Sequence, residues 1–244
     1  LVAAFLLMRE PRPAAAEGRT RLAHALTEGR QTPAVIRSGL RLLATNRVLL
    51  GIVIADVFWS IGMITFESLM PLRLEEMVGS PQEAGALIGP VSAAGWGLFA
   101  AGSWLAGVAS ARIGVARAAM LGRTLNALGA VIMGLVAGPV ALVVAYLFTY
   151  SMHGMNGPPH AALLHREAEA SNRSTVLSIN SMMAFLAFAV AAPLIGALAD
   201  RASIATAMVT AGAISVIGAV FYVPARRSER ERALQTAAAG TLTA

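Results

Sequence analysis

Apolar residues do not alternate along this chain; they come in long runs broken by short polar or Gly/Pro stretches. Six runs reach the roughly 20 residues that a helix needs to cross about 30 Å of hydrocarbon. They are 48–72, 84–109, 115–137, 139–163, 175–199 and 203–223. Runs of this length predict helices rather than half-buried strands, whose apolar positions recur at every second residue. The breaks at 73–83, 110–114, 138–139, 165–174 and 200–201 are short, so neighbouring helices are expected to pack antiparallel. The fold expected is all-α: a polytopic membrane bundle of six transmembrane helices over 48–223, preceded by the tail of another helix.

Composition changes the picture only by closing alternatives. Residues of the AVILMFWYC set make up 57% of the 244 positions and charged residues only 13%, about half of the usual ~25%, which excludes a water-soluble surface. All 19 basic residues are arginine, and cysteine is absent. With a mean hydropathy of +0.67 the class is a helical integral membrane protein with a lipid bilayer as its first partner.

The arginines give an orientation. Seventeen of the 19 fall in residues 9–47, in the turn and first part of the third run (Arg112, Arg117, Arg123), at Arg166 and Arg173, or in the tail; the opposite side holds only Arg73 and Arg201. Cytoplasmic loops carry the arginine excess, so both ends of the six-helix unit are expected in the cytoplasm, with the protein in the plasma (inner) membrane. Nucleic acid is not expected as a partner, because the arginines are dispersed over four segments without an aromatic platform. Residues 1–8 are apolar, without a basic lead-in, and read as the end of a preceding transmembrane helix. Residues 9–47 read as a cytoplasmic basic linker. Its second half carries an amphipathic helix, with Pro33 near its start and Ile36, Leu40 and Leu43 on one face. Residues 224–244 form a cytoplasmic tail.

The turn after the second run reads Gly107-Val108-Ala109-Ser110-Ala111-Arg112-Ile113-Gly114. With the basic linker and the six runs, it resembles the carboxy-terminal half of a major facilitator superfamily permease. Gly107, Arg112, Gly114 and Arg117 fit the family's G-x-L-x-D-R-x-G-[RK]-[RK] cytoplasmic loop; Ala111 stands where that loop has aspartate and Ala109 where it has leucine. The stretch Asn172-Arg173-Ser174-Thr175 running into Pro193 and Gly196 is similar to the penultimate span of drug-efflux members. Gly196 to Arg201 matches G-x-L-x-D-R as well, but the arginine count puts it on the outer side, where it reads as a turn with a helix stop. The resemblance implies an amino-terminal six-helix half ahead of residue 1 and a small-molecule substrate carried with a proton or another cation.

Ionisable groups inside spans are costly and face a bundle interior or cavity, which makes them the site candidates. Asp56 and Glu67 share the first run, and 11 residues of α-helix bring them within about 20° of one face. Ser60 lies between them, and Phe58 and Trp59 supply aromatic surface. Asp56 is either a proton site or one half of an interhelical ion pair; Glu67 lies near the outer end, as an outer-cavity carboxylate or a solvated interfacial one. Arg123, with Asn126 on the same helical side, pairs with Asp56, binds an anionic substrate, or snorkels to the cytoplasmic surface. Tyr150, His153 and Asn156 precede a Gly157-Pro158-Pro159 break, where freed backbone groups line a cavity or form a hinge. Asn180 bonds across helices. His153, His160 and His165 have no metal-site spacing, and no nucleophile elbow, phosphate loop or dinucleotide fingerprint occurs, so neither an enzyme nor a cofactor is expected. Small residues such as Gly85, Gly89, Gly134 and Gly138 are read as helix-packing positions.

The function expected is secondary active transport, as proton-coupled efflux of a small hydrophobic or cationic compound, the chain being the carboxy-terminal part of the carrier. A metabolite uptake permease and a non-transporting membrane scaffold or regulator stand as alternatives.

Overall fold

The computed structural model describes residues 37, 39–169 and 172–242. The apolar segment 1–8 and most of the linker at 9–47, Ile36 included, lie outside the described residues. Residues 39–45 are helical and Asn46 stands between them and the first long helix. Leu43 on that stretch is buried whereas Leu40 is exposed.

Helix α1 (Arg47–Ile64) starts where the Asn46 side chain accepts hydrogen bonds from the N–H groups of Val48 and Leu49, both at 3.0 Å. It runs through a π-helical turn (Thr65–Leu69) into α2 (Met70–Val78). The polar residues after position 72, expected as a loop, are therefore mostly helical. The chain stops only at Gly79, whose φ of 75° closes the helix. Ser80, followed by Pro81 and Glu83, then opens α3 (Pro81–Ile113), with its hydroxyl accepting from the Glu83 N–H at 3.3 Å. Gly114, at φ 88°, is the whole of the expected turn at 110–114 and leads into α4 (Val115–Leu135). Pro139 starts α5 (Pro139–Glu167), α6 spans Arg173–Arg201, and Ser203 caps α7 (Ile204–Ile217). A 3₁₀ turn (Gly218–Tyr222) joins α7 to α8 (Val223–Leu242).

Five of these stretches are long and apolar enough to cross a membrane: Arg47–Val78, Pro81–Ile113, Val115–Leu135, Arg173–Arg201 and Ile204–Ala238. The sixth expected span lies in α5, 29 residues and so about 43 Å long. Its apolar character is diluted by Tyr146, Thr149, Tyr150, Ser151, His153, Asn156 and two prolines. Several of these are buried against the other helices, so α5 is polar because of what it faces inside the bundle.

Helix α5 packs against α3 and α4, α4 against α7, and α1 against both α6 and α7. Two large apolar clusters result, with a small third of Ala106, Met152 and Met155 between α3 and α5. One gathers Ile64, Leu74, Met133, Leu142 and Met208 toward one end; the other gathers Leu49, Ile52, Ala119, Leu163 and Tyr222 toward the opposite end. Between them along the helices lie the buried polar residues Asp56, Arg123, Asn156, His160 and Asn180. Outward, large apolar side chains such as Trp104, Leu194 and Val140 are about two-thirds or more exposed. Only a hydrocarbon solvent or further protein makes such a surface tolerable.

The closest crossing joins α3 and α5. A Cβ on Gly102 would lie 1.8 Å from the Ser151 carbonyl oxygen, and one on Gly154 would lie 2.0 Å from the Phe99 carbonyl oxygen. At Gly85, Gly89 and Gly138, expected to be packing positions, an added Cβ would meet nothing among the described residues within 4 Å; of that set only Gly134 is tight, against the Ala205 carbonyl oxygen at 2.7 Å. Gly154→Ala is expected to lower stability by about 1–3 kcal/mol through helix separation, whereas Gly85→Ala is neutral. Thermal unfolding in detergent checks this, and equal midpoints for the two variants would remove the crossing from the account.

Candidate functional site

Asp56 sits in the middle of α1 with 7% of its surface exposed, donors from two other helices reach its carboxylate, and an imidazole from a third lies beside it. Arg123 of α4 donates from Nη2 to Oδ1 at 2.5 Å, and Asn180 of α6 donates from Nδ2 to Oδ2 at 2.9 Å. His160 of α5 holds its Nε2 3.7 Å from Oδ2. Tyr222, at the end of the 3₁₀ turn, ties the group together: its hydroxyl oxygen accepts from Arg123 Nε at 3.2 Å and lies 2.7 Å from His160 Nδ1. One carboxylate thus joins α1, α4, α5, α6 and the turn before α8. A buried charge pair needs this kind of further bonding, because Coulomb attraction alone seldom offsets the loss of hydration.

Two cavities flank this group. One, of about 210 Å³, is lined by Asp56, Trp59, Phe99, Arg123, His153, Asn156, Gly157 and His160. The other, of about 300 Å³, shares Asp56, Trp59 and His153 and adds Ser60, Met63, Phe185 and Phe188. The Arg123 guanidinium lies 4.7 Å from the centre of the Trp59 ring, within cation–π range, and Trp59 stacks on His153 at 5.3 Å. Tyr150, with Phe66, Trp96 and Phe99 around it, extends this aromatic wall.

The residues singled out in the sequence separate on this geometry. Asp56, Trp59, Ser60, Arg123, His153, Asn156 and Asn180 meet around the carboxylate and its cavities. The Ser60 hydroxyl donates to the Asp56 backbone carbonyl at 3.0 Å. Arg123 is buried in the pair with Asp56, so it does not snorkel. Asn126 instead donates to the Thr149 carbonyl at 2.8 Å and fastens α4 to α5 away from the cavities. Phe58 stacks on Phe221 at 5.4 Å, outside both cavities. Glu67 lines neither cavity. It lies exposed in the π-helical turn and accepts a hydrogen bond from the Tyr150 hydroxyl at 3.1 Å. His160 and Tyr222 are not among the site expectations. The sequence presents His160 only as a metal ligand without partners, and the one signal for Tyr222 is a polar ring ending an otherwise apolar run. Among the described residues no group of three or more His, Cys, Asp or Glu could hold a metal ion.

The Major Facilitator Superfamily model matches residues 80–243. The chain belongs to this superfamily. Among solved structures it is similar to the peptide transporter POT, crystallised as a point mutant in complex with sulfate, at 16% identity and a TM-score of 0.62 over 80% of this chain and 44% of that one. A structure of the same transporter in complex with alafosfalin matches at 17% identity with the same score and coverage. At these identities the likeness shows the fold. The chain spans less than half the length of those transporters. No curated protein matches it.

The superfamily loop motif lies at the junction of α3 and α4. Arg112 and Arg117 are exposed, and Gly107 has open space around it. Gly114 is needed both for its φ of 88° and for room, since a Cβ there would lie 3.1 Å from Glu229 Oε2. Where Ala111 offers no carboxylate, Glu229 of α8 brings one. Its two oxygens accept from the N–H groups of Val115 and Ala116 at 3.1 and 3.0 Å, at the positive end of α4, and Arg166 of α5 donates to it at 3.1 Å. Nearby, Glu167 accepts from Asn46 and Arg232.

Tyr222→Phe leaves Arg123 Nε and His160 Nδ1 without their common partner and is expected to cost about 1–3 kcal/mol in thermal stability. An unchanged midpoint would mean the hydroxyl does not bind the group together. Glu229→Ala removes an N-terminal cap worth about 1 kcal/mol, and Arg166→Ala should add little on top of it. Additive losses in that double-mutant cycle would separate the cap from the ion pair.

Proposed function

We propose that the protein is a proton-coupled secondary transporter in which Asp56 is the proton site, and that it works in the outward direction, exporting a small compound with a hydrophobic part. The observation that carries this reading is the Asp56 carboxylate, buried between Arg123 and Asn180 and bordering two cavities. A proton and Arg123 compete for the same carboxylate. With Asp56 ionised, the pair is neutral and holds α1 to α4; with Asp56 protonated, the guanidinium loses its counter-charge and the contact between the two helices weakens. Such a pair has two discrete states, and proton binding biases the choice between them. The aromatic walls formed by Trp59, Phe99, Phe185 and Phe188 suit the hydrophobic part of a substrate. The outward direction rests on the resemblance of the 172–201 segment to drug-efflux members. On this reading the basic segments, including the Glu229 junction and the linker, face the cytoplasm of a cell bounded by the plasma membrane, an amino-terminal six-helix half completes the carrier, and no chemical reaction is catalysed.

Asp56→Asn in the full-length protein, reconstituted into liposomes, is expected to lower proton-driven flux of a fluorescent hydrophobic dye more than tenfold, with the protein still inserted and exchange of dye across the membrane retained. Wild-type pH dependence of flux in that variant would remove Asp56 from the coupling step.

A further inference from the structure

Nine buried side-chain nitrogen or oxygen atoms have no hydrogen-bond partner among the described residues, and six of them belong to residues on the walls of the single 210 Å³ cavity. They are Arg123 Nη1, Trp59 Nε1, His160 Nε2, His153 Nδ1 and both amide atoms of Asn156. A buried polar group left unsatisfied costs on the order of 1–3 kcal/mol. Six together on one cavity therefore describe a place prepared for a polar occupant rather than scattered imperfections of packing.

The kinds of atom decide what that occupant is. Arg123 Nη1 and Trp59 Nε1 can only donate. Where Tyr222, accepting from Arg123 Nε, donates its own proton to His160 Nδ1, the neutral ring carries its hydrogen on Nε2 and His160 is a donor too. The Asn156 amide adds a fourth donor. Two obligate donors, the imidazole in this tautomer and one amide face an occupant that must supply acceptors on one end. Its other end meets flat rings, since Trp59, Phe99 and His153 form the apolar part of the wall and the second cavity continues past Trp59 and His153 toward Phe185 and Phe188.

Charge sets the remaining condition. Asp56 and Arg123 cancel each other, so an anion entering beside them would be repelled by Asp56 and is tolerated only when Asp56 carries a proton; Arg123 then pairs with the anion in place of Asp56. Burying the two as one neutral set avoids leaving any of the three charges unpaired.

We propose that this cavity is the headgroup site for a carboxylate carried on a single aromatic ring. Arg123 Nη1 and Trp59 Nε1 receive the carboxylate, His160 and Asn156 complete its hydrogen bonds, and one proton is bound on Asp56 with it. The occupant is thus an anion, in place of the hydrophobic or cationic compound expected from the sequence. The proton part rests on Asp56 as the proton site proposed above and not on the outward direction, since a proton bound together with the anion travels the same way and an inward proton gradient then drives uptake; the carboxylate part rests on the donors alone.

The test is calorimetric titration of the full-length protein in detergent with benzoate, its neutral isostere benzamide and the cation benzamidinium at pH 6 and pH 8. Benzoate is expected to bind, with benzamide at least tenfold weaker and benzamidinium absent, and benzoate affinity should rise by up to about tenfold per pH unit toward pH 6, because proton and anion bind together. Arg123→Gln is expected to abolish benzoate binding. Because it also strips Asp56 of its partner and can unfold the bundle, Asn156→Leu is the second variant: its amide bonds to nothing else described, so it should weaken benzoate about tenfold at an unchanged melting midpoint. Benzamidinium or benzamide binding as well as benzoate, or no binding of any of the three, would overturn the proposal. Benzoate binding that is flat with pH upholds the carboxylate site and discards the proton role of Asp56. Proton-driven flux that depends on Asp56 in a protein that ignores benzoate does the reverse.

Discussion

A carboxylate and a guanidinium survive inside a membrane bundle only if each is matched in charge and hydrogen bonding, and the rest of this structure is arranged around meeting that demand. Asp56 and Arg123 answer each other, but a bare pair would still have lone pairs and N–H groups facing hydrocarbon. Asn180 bonds to Asp56 and Tyr222 accepts from Arg123 while bonding to His160, and these three come from three further parts of the chain. The bundle therefore closes over a polar layer, with an apolar cluster toward each end. The same layer explains why α5 is less apolar than the other expected spans. Its polar residues meet neighbouring helices and cavities instead of lipid.

This arrangement is suited to movement as well as to stability. A salt bridge that links α1 to α4 is strong only while both partners are charged, so a proton changes a contact between helices without any bond being remade elsewhere. The close crossing of α3 and α5 is smooth. Gly102 and Gly154 bring the α3 and α5 backbones together without interlocking side chains. The π-helical turn at Thr65–Leu69 interrupts the regular ladder of the first span beyond the polar layer, and the Pro158-Pro159 pair interrupts that of α5 within it, between Asn156 and His160. At the basic end, Glu229 and Glu167 tie α8 to the starts or ends of α1, α4 and α5 by charge and hydrogen bonds.

Membership of the Major Facilitator Superfamily gives these features a common frame, and the departures from its loop motif are then informative. Ala111 removes the acid that the motif places between α3 and α4, yet the N-terminus of α4 still meets a carboxylate, because Glu229 arrives from the far end of the chain. The physical requirement, a negative charge at exposed N–H groups, is met by position in space and not by position in the loop.

How much of this is legible in the sequence follows from the range of each interaction. Apolar spans, helix ends and the clustering of arginine are readable because hydrophobic length, caps such as Ser80 and Ser203, and glycine stops such as Gly79 act within a few residues. The intramembrane charges are also readable, since their cost does not depend on which partner offsets it. What meets what is not. The α-helical period puts Glu67 on the Asp56 face, yet Glu67 is exposed and bonded to Tyr150, outside both cavities; the same period puts Asn126 beside Arg123, and a carbonyl of α5 captures it. His160, Tyr222 and Glu229 acquire their roles from partners 62 to 114 positions distant in the chain, through helix rotation and crossing that no local pattern encodes. The sequence by itself determined that this is a membrane bundle with a few costly polar groups inside; only the tertiary structure decided which of them share one carboxylate, because that depends on the packing of several helices at once.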